Sequence, residues 1–143
     1  EARDLINEAL ALKSAFRKKV ALRFTAADAA PRELISIGPE TTLKEAVDTM
    51  VKYNIGFLPI VEGGKLLGII SESDIMKLVG KGADFNAPVS AYMNEKPITI
   101  NKQATLKDAA ELMVESNIRH LPVVDDGKVV AVLSVKDIVK VIG

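Results

Sequence analysis

Residues 35–80 read ISIGPETTLKEAVDTMVKYNIGFLPIVEGGKLLGIISESDIMKLVG, and residues 98–143 read ITINKQATLKDAAELMVESNIRHLPVVDDGKVVAVLSVKDIVKVIG. The second stretch lies on the first at a constant offset of 63 without a gap, and 20 of the 46 aligned pairs are identical. Asn54/Asn117, Pro59/Pro122, Gly64/Gly127, Ser71/Ser134 and Asp74/Asp137 are among them, so turn and polar positions repeat along with apolar ones. A duplication sets the architecture before any other feature is read. The period exceeds that of solenoid units and only two copies exist, so the halves are expected to pack face to face about a pseudo-twofold axis. The cleft between them is then the place to look for function.

Both copies change pattern at the same places. Leu34-Ile35-Ser36-Ile37 and Pro97-Ile98-Thr99-Ile100 alternate as short strands do. Thr42 and Thr105, followed three residues on by Glu45 and Asp108, mark a helix start, and Leu43, Ala46, Val47, Met50 and Val51 share one face of that helix. Asn54 and Asn117 end it, because asparagine tolerates the left-handed cap conformation. Two strands follow, 56–61 and 65–71 in the first copy, joined at Glu62-Gly63-Gly64 and, in the second copy, at Asp125-Asp126-Gly127, a short hairpin signal. A second helix opens at Ser73 or Lys136. The unit is strand, helix, strand, strand, helix, an α/β (α+β) fold. The expected organisation is an N-terminal helix over 1–24, a first repeat over 25–80, a linker over 81–90 and a second repeat over 91–143.

Before the repeats, Leu5, Ala9, Leu12, Phe16, Val20 and Phe24 recur at steps of three to four. That spacing predicts an amphipathic helix of about six turns, its apolar face packed on the repeats or on a second copy. Arg17, Lys18, Lys19 and Arg23 fall in its last turns, where cations favour the helix dipole; a contact with nucleic acid or an acidic partner is the other reading.

Composition narrows the function classes. At 143 residues and 48% hydrophobic the chain can bury one sizeable core. Its 19 basic and 19 acidic residues cancel, so the overall charge does not favour nucleic acid. The absence of cysteine removes disulfides and thiolate metal sites, and fits a reducing compartment. No apolar run approaches the roughly 18 residues of a membrane span, so a soluble cytoplasmic protein is expected. His120 is the single histidine, without a second metal ligand at suitable spacing or a serine–acid partner in a recognised motif. No Gly-rich phosphate loop appears, and Asp74 and Asp137 are equivalent under the repeat, which puts them in separate sites and not across one scissile bond. A binding module is expected, not an enzyme, and no metal.

The chemistry sits where a strand runs out into a hydroxyl and a carboxylate: Ile69-Ile70-Ser71-Glu72-Ser73-Asp74 and Val132-Leu133-Ser134-Val135-Lys136-Asp137. Near a helix N-terminus, where backbone N–H groups converge, a carboxylate can accept hydrogen bonds from vicinal ribose hydroxyls, and a serine or its neighbouring amides can hold a phosphate. The same residues serve equally as N-caps and first-turn acids of the helix alone.

Taken together, the isoleucine strand, the Thr-Leu-x-x-Ala helix, Asn-Ile-x-x-Leu-Pro-x-Val, the Gly-Lys hairpin and Ser-x-x-Asp-Ile resemble the CBS domain, and the tandem pair over about residues 25–143 resembles a Bateman module. The resemblance implies a disc-like pair with two symmetry-related clefts that take AMP, ADP, ATP or S-adenosylmethionine as regulatory ligands. No cofactor is required. It also implies homodimers formed through helical faces and an effector protein that reads ligand occupancy, an energy-sensing role. Carried over by position, the first cleft comprises Asp74 with Ser71 and Ser73, and Ile35, Ile37 and Gly56-Phe57-Leu58-Pro59 around the base. The second comprises Asp137 and Ser134, with Ile98, Ile100 and Arg119-His120-Leu121-Pro122. Arg119, His120 and Lys136 match phosphate-holding positions of the nucleotide-binding regulatory subunit of AMP-activated kinase. Their counterparts Gly56, Phe57 and Ser73 carry no charge, so unequal clefts are expected. The rival reading is a structural or DNA-linked interaction module with vestigial clefts and the basic N-terminal helix as its working surface.

Overall fold

The computed structural model describes residues 2–143. In chain order the elements are α1 (Ala2–Arg23), α2 (Ala26–Ala29), α3 (Leu43–Tyr53), β1 (Phe57–Glu62), β2 (Lys65–Ser71), α4 (Glu72–Gly80), β3 (Ile100–Asn101), α5 (Leu106–Ser116), β4 (His120–Asp125), β5 (Lys128–Ser134) and α6 (Val135–Ile142). A 3₁₀ turn spans Val89–Ala91. Local chemistry is the same in both copies. Thr42 and Thr105 each accept from the backbone N–H three residues on, and Glu45 and Asp108 accept in return from the cap N–H. Asn54 and Asn117 close these helices at φ 53. Gly63-Gly64 and Asp126-Gly127 turn the hairpins with positive φ at both central residues, the twist that suits antiparallel strands. The second helices begin one residue earlier than the sequence suggests, at Glu72 and Val135, because Ser71 and Ser134 act as the N-caps.

The opening strand of each repeat is shorter than its alternation predicts. In the second repeat β3 pairs parallel with β4 through Ile100 and Asn101, and the Lys102 N–H continues to the Val124 carbonyl at 2.9 Å. In the first repeat only Ile37 bridges β1, donating to the Pro59 carbonyl at 3.1 Å and accepting from the Val61 N–H at 2.8 Å. Pro39 stands where the second repeat has Lys102 and has no N–H to extend the ladder.

Two hydrophobic clusters form, one per repeat, and each borrows a segment. Ala26 and Ala30 are buried with Leu106, Ala109 and Leu133 of the second repeat, and the Ala26 N–H donates to the Ala104 carbonyl at 2.8 Å. Val89, at the equivalent position, is buried with Leu43, Leu58 and Ile70 of the first repeat, and donates to the Thr41 carbonyl at 2.7 Å. Residues 26–30, counted in sequence with the first repeat, therefore belong by packing to the second. Residues 89–93, on the second repeat's side of the chain, complete the first. Segments 31–35 and 94–98 must cross the seam between repeats to make this exchange.

Of the two partners expected for the apolar face of the N-terminal helix, the repeats do not cover it. α1 is a single helix, but none of its residues is buried, and Leu5, Leu12 and Phe16 are 67, 72 and 65% exposed. Only its C-terminal turns approach α5 and α6, with Val20 and Ala21 half-buried. No described helix is long and apolar enough to cross a membrane.

Candidate functional site

The seam holds two clefts, of about 710 and 410 Å³, sizes that suit a small organic ligand. They are related by the repeat offset. Ile35, Ser134 and Asp137 line the larger cleft where Ile98, Ser71 and Asp74 line the smaller. Phe57 and His120, themselves 63 residues apart, stack with ring centroids at 4.8 Å and planes 10° apart, and both border both clefts. The pseudo-twofold axis thus passes between these two rings, which form the common wall.

This arrangement corrects the grouping expected from the sequence, in which each cleft was assembled from one repeat. The larger cleft joins Ile35, Gly56 and Phe57 of the first repeat to Ser134, Lys136 and Asp137 of the second, with Arg119 and His120. The smaller joins Ser71, Ser73 and Asp74 to Ile98, Arg119 and His120. The exchange of core segments is the cause: residues 31–35 leave the second repeat's core and cross its helix end before entering the first, and residues 94–98 do the converse. Six expected base contacts line neither cleft. Ile37, Ile100, Leu58 and Leu121 belong to the hydrophobic clusters, and Pro59 and Pro122 are fully buried within their hairpins.

Each serine–aspartate pair is a closed capping box. The Asp137 Oδ2 accepts from the Ser134 N–H at 2.8 Å and from its hydroxyl at 2.9 Å; the Asp74 Oδ2 accepts from the Ser71 N–H and hydroxyl, both at 2.9 Å. The helix-capping reading of these residues therefore holds. It does not use the whole group: among the described residues no hydrogen bond reaches Oδ1 of either aspartate, and both carboxylates are half-buried at the cleft wall. An anchored acceptor with one oxygen left over suits a diol donor.

The charges differ between clefts. Lys136 and Lys140 face the larger cleft and Lys96 the smaller, while Arg119 and Glu72 face both. The Glu72 carboxylate lies against Gly56, so close that a Cβ there would fall 2.6 Å from its Cδ. Burial in the seam holds the His120 imidazole below its ordinary pKa, and the Arg119 guanidinium beside it acts in the same direction. Glu33, Asn54, Lys96, Asn117 and Lys140 were not read as cleft residues from the sequence. Asn54 and Asn117 carry a signal only as helix caps, Glu33 and Lys96 reach the seam through the exchange of segments, which has no local signature, and Lys140 lies one turn beyond Lys136 on α6. Among the described residues no group of three potential metal ligands occurs.

The chain belongs to the CBS domain family, whose model matches residues 26–81 and 89–143. It is 32% identical over 112 residues to the CBS domain-containing protein YhcV of Bacillus subtilis, covering 78% of this chain and 80% of that protein. It is 39% identical over 109 residues to the inosine-5'-monophosphate dehydrogenase of Aquifex aeolicus, of whose length it spans only 22%. Among solved structures it resembles the CBS domain protein PAE2072 from Pyrobaculum aerophilum complexed with AMP, with a TM-score of 0.75 and 28% identity over 80% of this chain and 89% of that one. It also resembles the CBS domain pair of protein MJ0100 in complex with 5'-methylthioadenosine and S-adenosyl-L-methionine, with a TM-score of 0.77 and 30% identity over 83% of this chain and 99% of that one.

Proposed function

We propose that this protein is a regulatory module that binds AMP or a related adenosyl ligand in the seam clefts, without catalysing a reaction on it. The observation that carries this reading is the pair of pseudo-symmetric carboxylates, each fixed through Oδ2 in a capping box with Oδ1 uncommitted beside a cleft. Asp137 and Asp74 receive the ribose hydroxyls. Ile35 and Ile98 offer apolar surface to the base, and Arg119 with Lys136 meets the phosphate, arginine through its planar fork and lysine as a point charge. The AMP and S-adenosylmethionine complexes of related CBS pairs support that ligand class.

Because both clefts are built from both repeats, a bound ligand contacts both halves and favours whichever relative orientation or oligomeric state binds it better. A partner protein, or a second copy in a homodimer, reads that shift in the cytoplasm. Calorimetric titration with AMP, ADP, ATP and S-adenosylmethionine tests the reading, with thermal melting in parallel. At a free concentration a hundred times Kd, each site stabilises the folded protein by about 2.7 kcal/mol, a measurable rise in Tm. No heat and no rise with any of the four would remove the proposal.

A further inference from the structure

The two clefts share one cation. Arg119 lines both, and its counterpart under the repeat is Gly56, which has no side chain to offer. Glu72 also lines both, and its counterpart is the uncharged Val135. Arg119 is exposed and, among the described residues, in no ion pair, so its guanidinium can turn to either side. In the larger cleft Arg119, Lys136 and Lys140 stand against Glu33, Glu72 and Asp137; in the smaller, Arg119 and Lys96 stand against Glu72 and Asp74. Each set balances only while Arg119 is counted in it, and one guanidinium cannot serve two phosphates on opposite sides of the Phe57–His120 wall at full strength.

Resting on the adenosyl-ligand reading above, we propose that the two clefts compete for Arg119, so that an anionic adenosyl ligand bound in one weakens binding in the other. A phosphate that engages the fork of Arg119 withdraws it from the second cleft and leaves Glu72 facing the next phosphate. His120 is a weaker partner than Arg119, since desolvation in the seam disfavours its charged form while the guanidinium is always charged. A ligand without a phosphate makes no demand on Arg119 and fills the clefts independently.

The test is the stepwise binding of AMP and of adenosine to the whole chain, counted by native mass spectrometry and calorimetry. Asp74→Ala and Asp137→Ala each isolate one cleft and report its intrinsic affinity. In the wild type the second AMP should bind about tenfold or more below the weaker isolated cleft, the loss of a charge-assisted contact, while adenosine shows no such gap. Arg119→Met should close the gap for AMP. So should Gly56→Arg combined with Glu72→Val, which copies the Arg119/Val135 pair into the first repeat. The backbone there is already equivalent, with the Glu72 N–H on the Gly56 carbonyl at 2.9 Å and the Val135 N–H on the Arg119 carbonyl at 3.0 Å. If the aspartate variants do not fold, the ratio of first to second binding constants for AMP, divided by that for adenosine, gives the same answer from the wild type and the Arg119 and Gly56/Glu72 variants. Two AMP sites with no gap, or a gap that persists in Arg119→Met, would overturn the competition. Failure of both AMP and adenosine to bind the wild type would instead overturn the binding reading itself.

Discussion

Asp137→Asn separates the two roles of one carboxylate. In the capping box, Asp137 uses only Oδ2, which accepts from the Ser134 N–H and hydroxyl at 2.8 and 2.9 Å. An asparagine can turn its carbonyl to the same N–H, so the cap persists, and what is lost is the negative charge at the helix N-terminus, about 0.5–1 kcal/mol. At a slope of about 2–4 °C per kcal/mol for a chain near this size, Tm falls by only a few degrees. Toward the cleft the change is larger, because an NH₂ donor replaces the free Oδ1 acceptor that ribose hydroxyls need. Losing one or two charge-assisted hydrogen bonds costs at least about 2 kcal/mol, or about thirtyfold in affinity. Calorimetry and thermal melting on the same sample measure both. Ser134→Ala gives the converse pattern: it removes the cap hydroxyl, costing about 1 kcal/mol of stability, and leaves the carboxylate in place for the ligand. Asp74→Asn and Ser71→Ala repeat the experiment in the smaller cleft. If the asparagine variants bind AMP within a few-fold of wild type, the carboxylates are caps and nothing more, and the ribose assignment fails.

Three further outcomes follow from the geometry. His120 has a folded-state pKa below its ordinary value of 6.5, so the unfolded chain takes up a proton more readily; its contribution to stability is present above that pH and is lost as pH falls through it. Tm measured from pH 7.5 to 5.5 should therefore decline in the ligand-free protein, and His120→Gln should flatten that decline. A phosphate in either cleft opposes the depression, so AMP binding should tighten toward acid pH with uptake of a proton, seen as a buffer-dependent heat in calorimetry. At Gly68 an added Cβ would lie 2.7 Å from the Asn94 carbonyl oxygen, which accepts from the Ile69 N–H, and 2.8 Å from the Met93 Sδ. Gly68→Ala should cost about 1–3 kcal/mol by forcing the crossing segment off β2, read from a urea unfolding curve. The second repeat carries Ala131 at the same position, so the chain is its own control.

The asparagine caps, the threonine capping boxes and the existence of both hairpins were legible in the sequence, because each is settled among neighbours within three or four positions; the serine capping boxes stood there only as one of two readings. The offset of 63 added the pseudo-twofold relation, and with it the pairing of Phe57 with His120 and of Asp74 with Asp137 as equivalents. The sequence by itself also carried the charge asymmetry between Gly56 and Arg119. It did not say which carboxylate shares a cleft with which isoleucine. Tertiary packing decided that, since nothing among the neighbours of Ala26 or Val89 marks which repeat's core each will fill, and their exchange sends residues 31–35 and 94–98 across the seam. Long-range contacts also turned Leu58, Leu121, Ile37 and Ile100 into core, and the crossing segments brought Glu33 and Lys96 to the cleft walls. A local pattern records which faces of an element are apolar; only the folded chain decides which other surface each face meets.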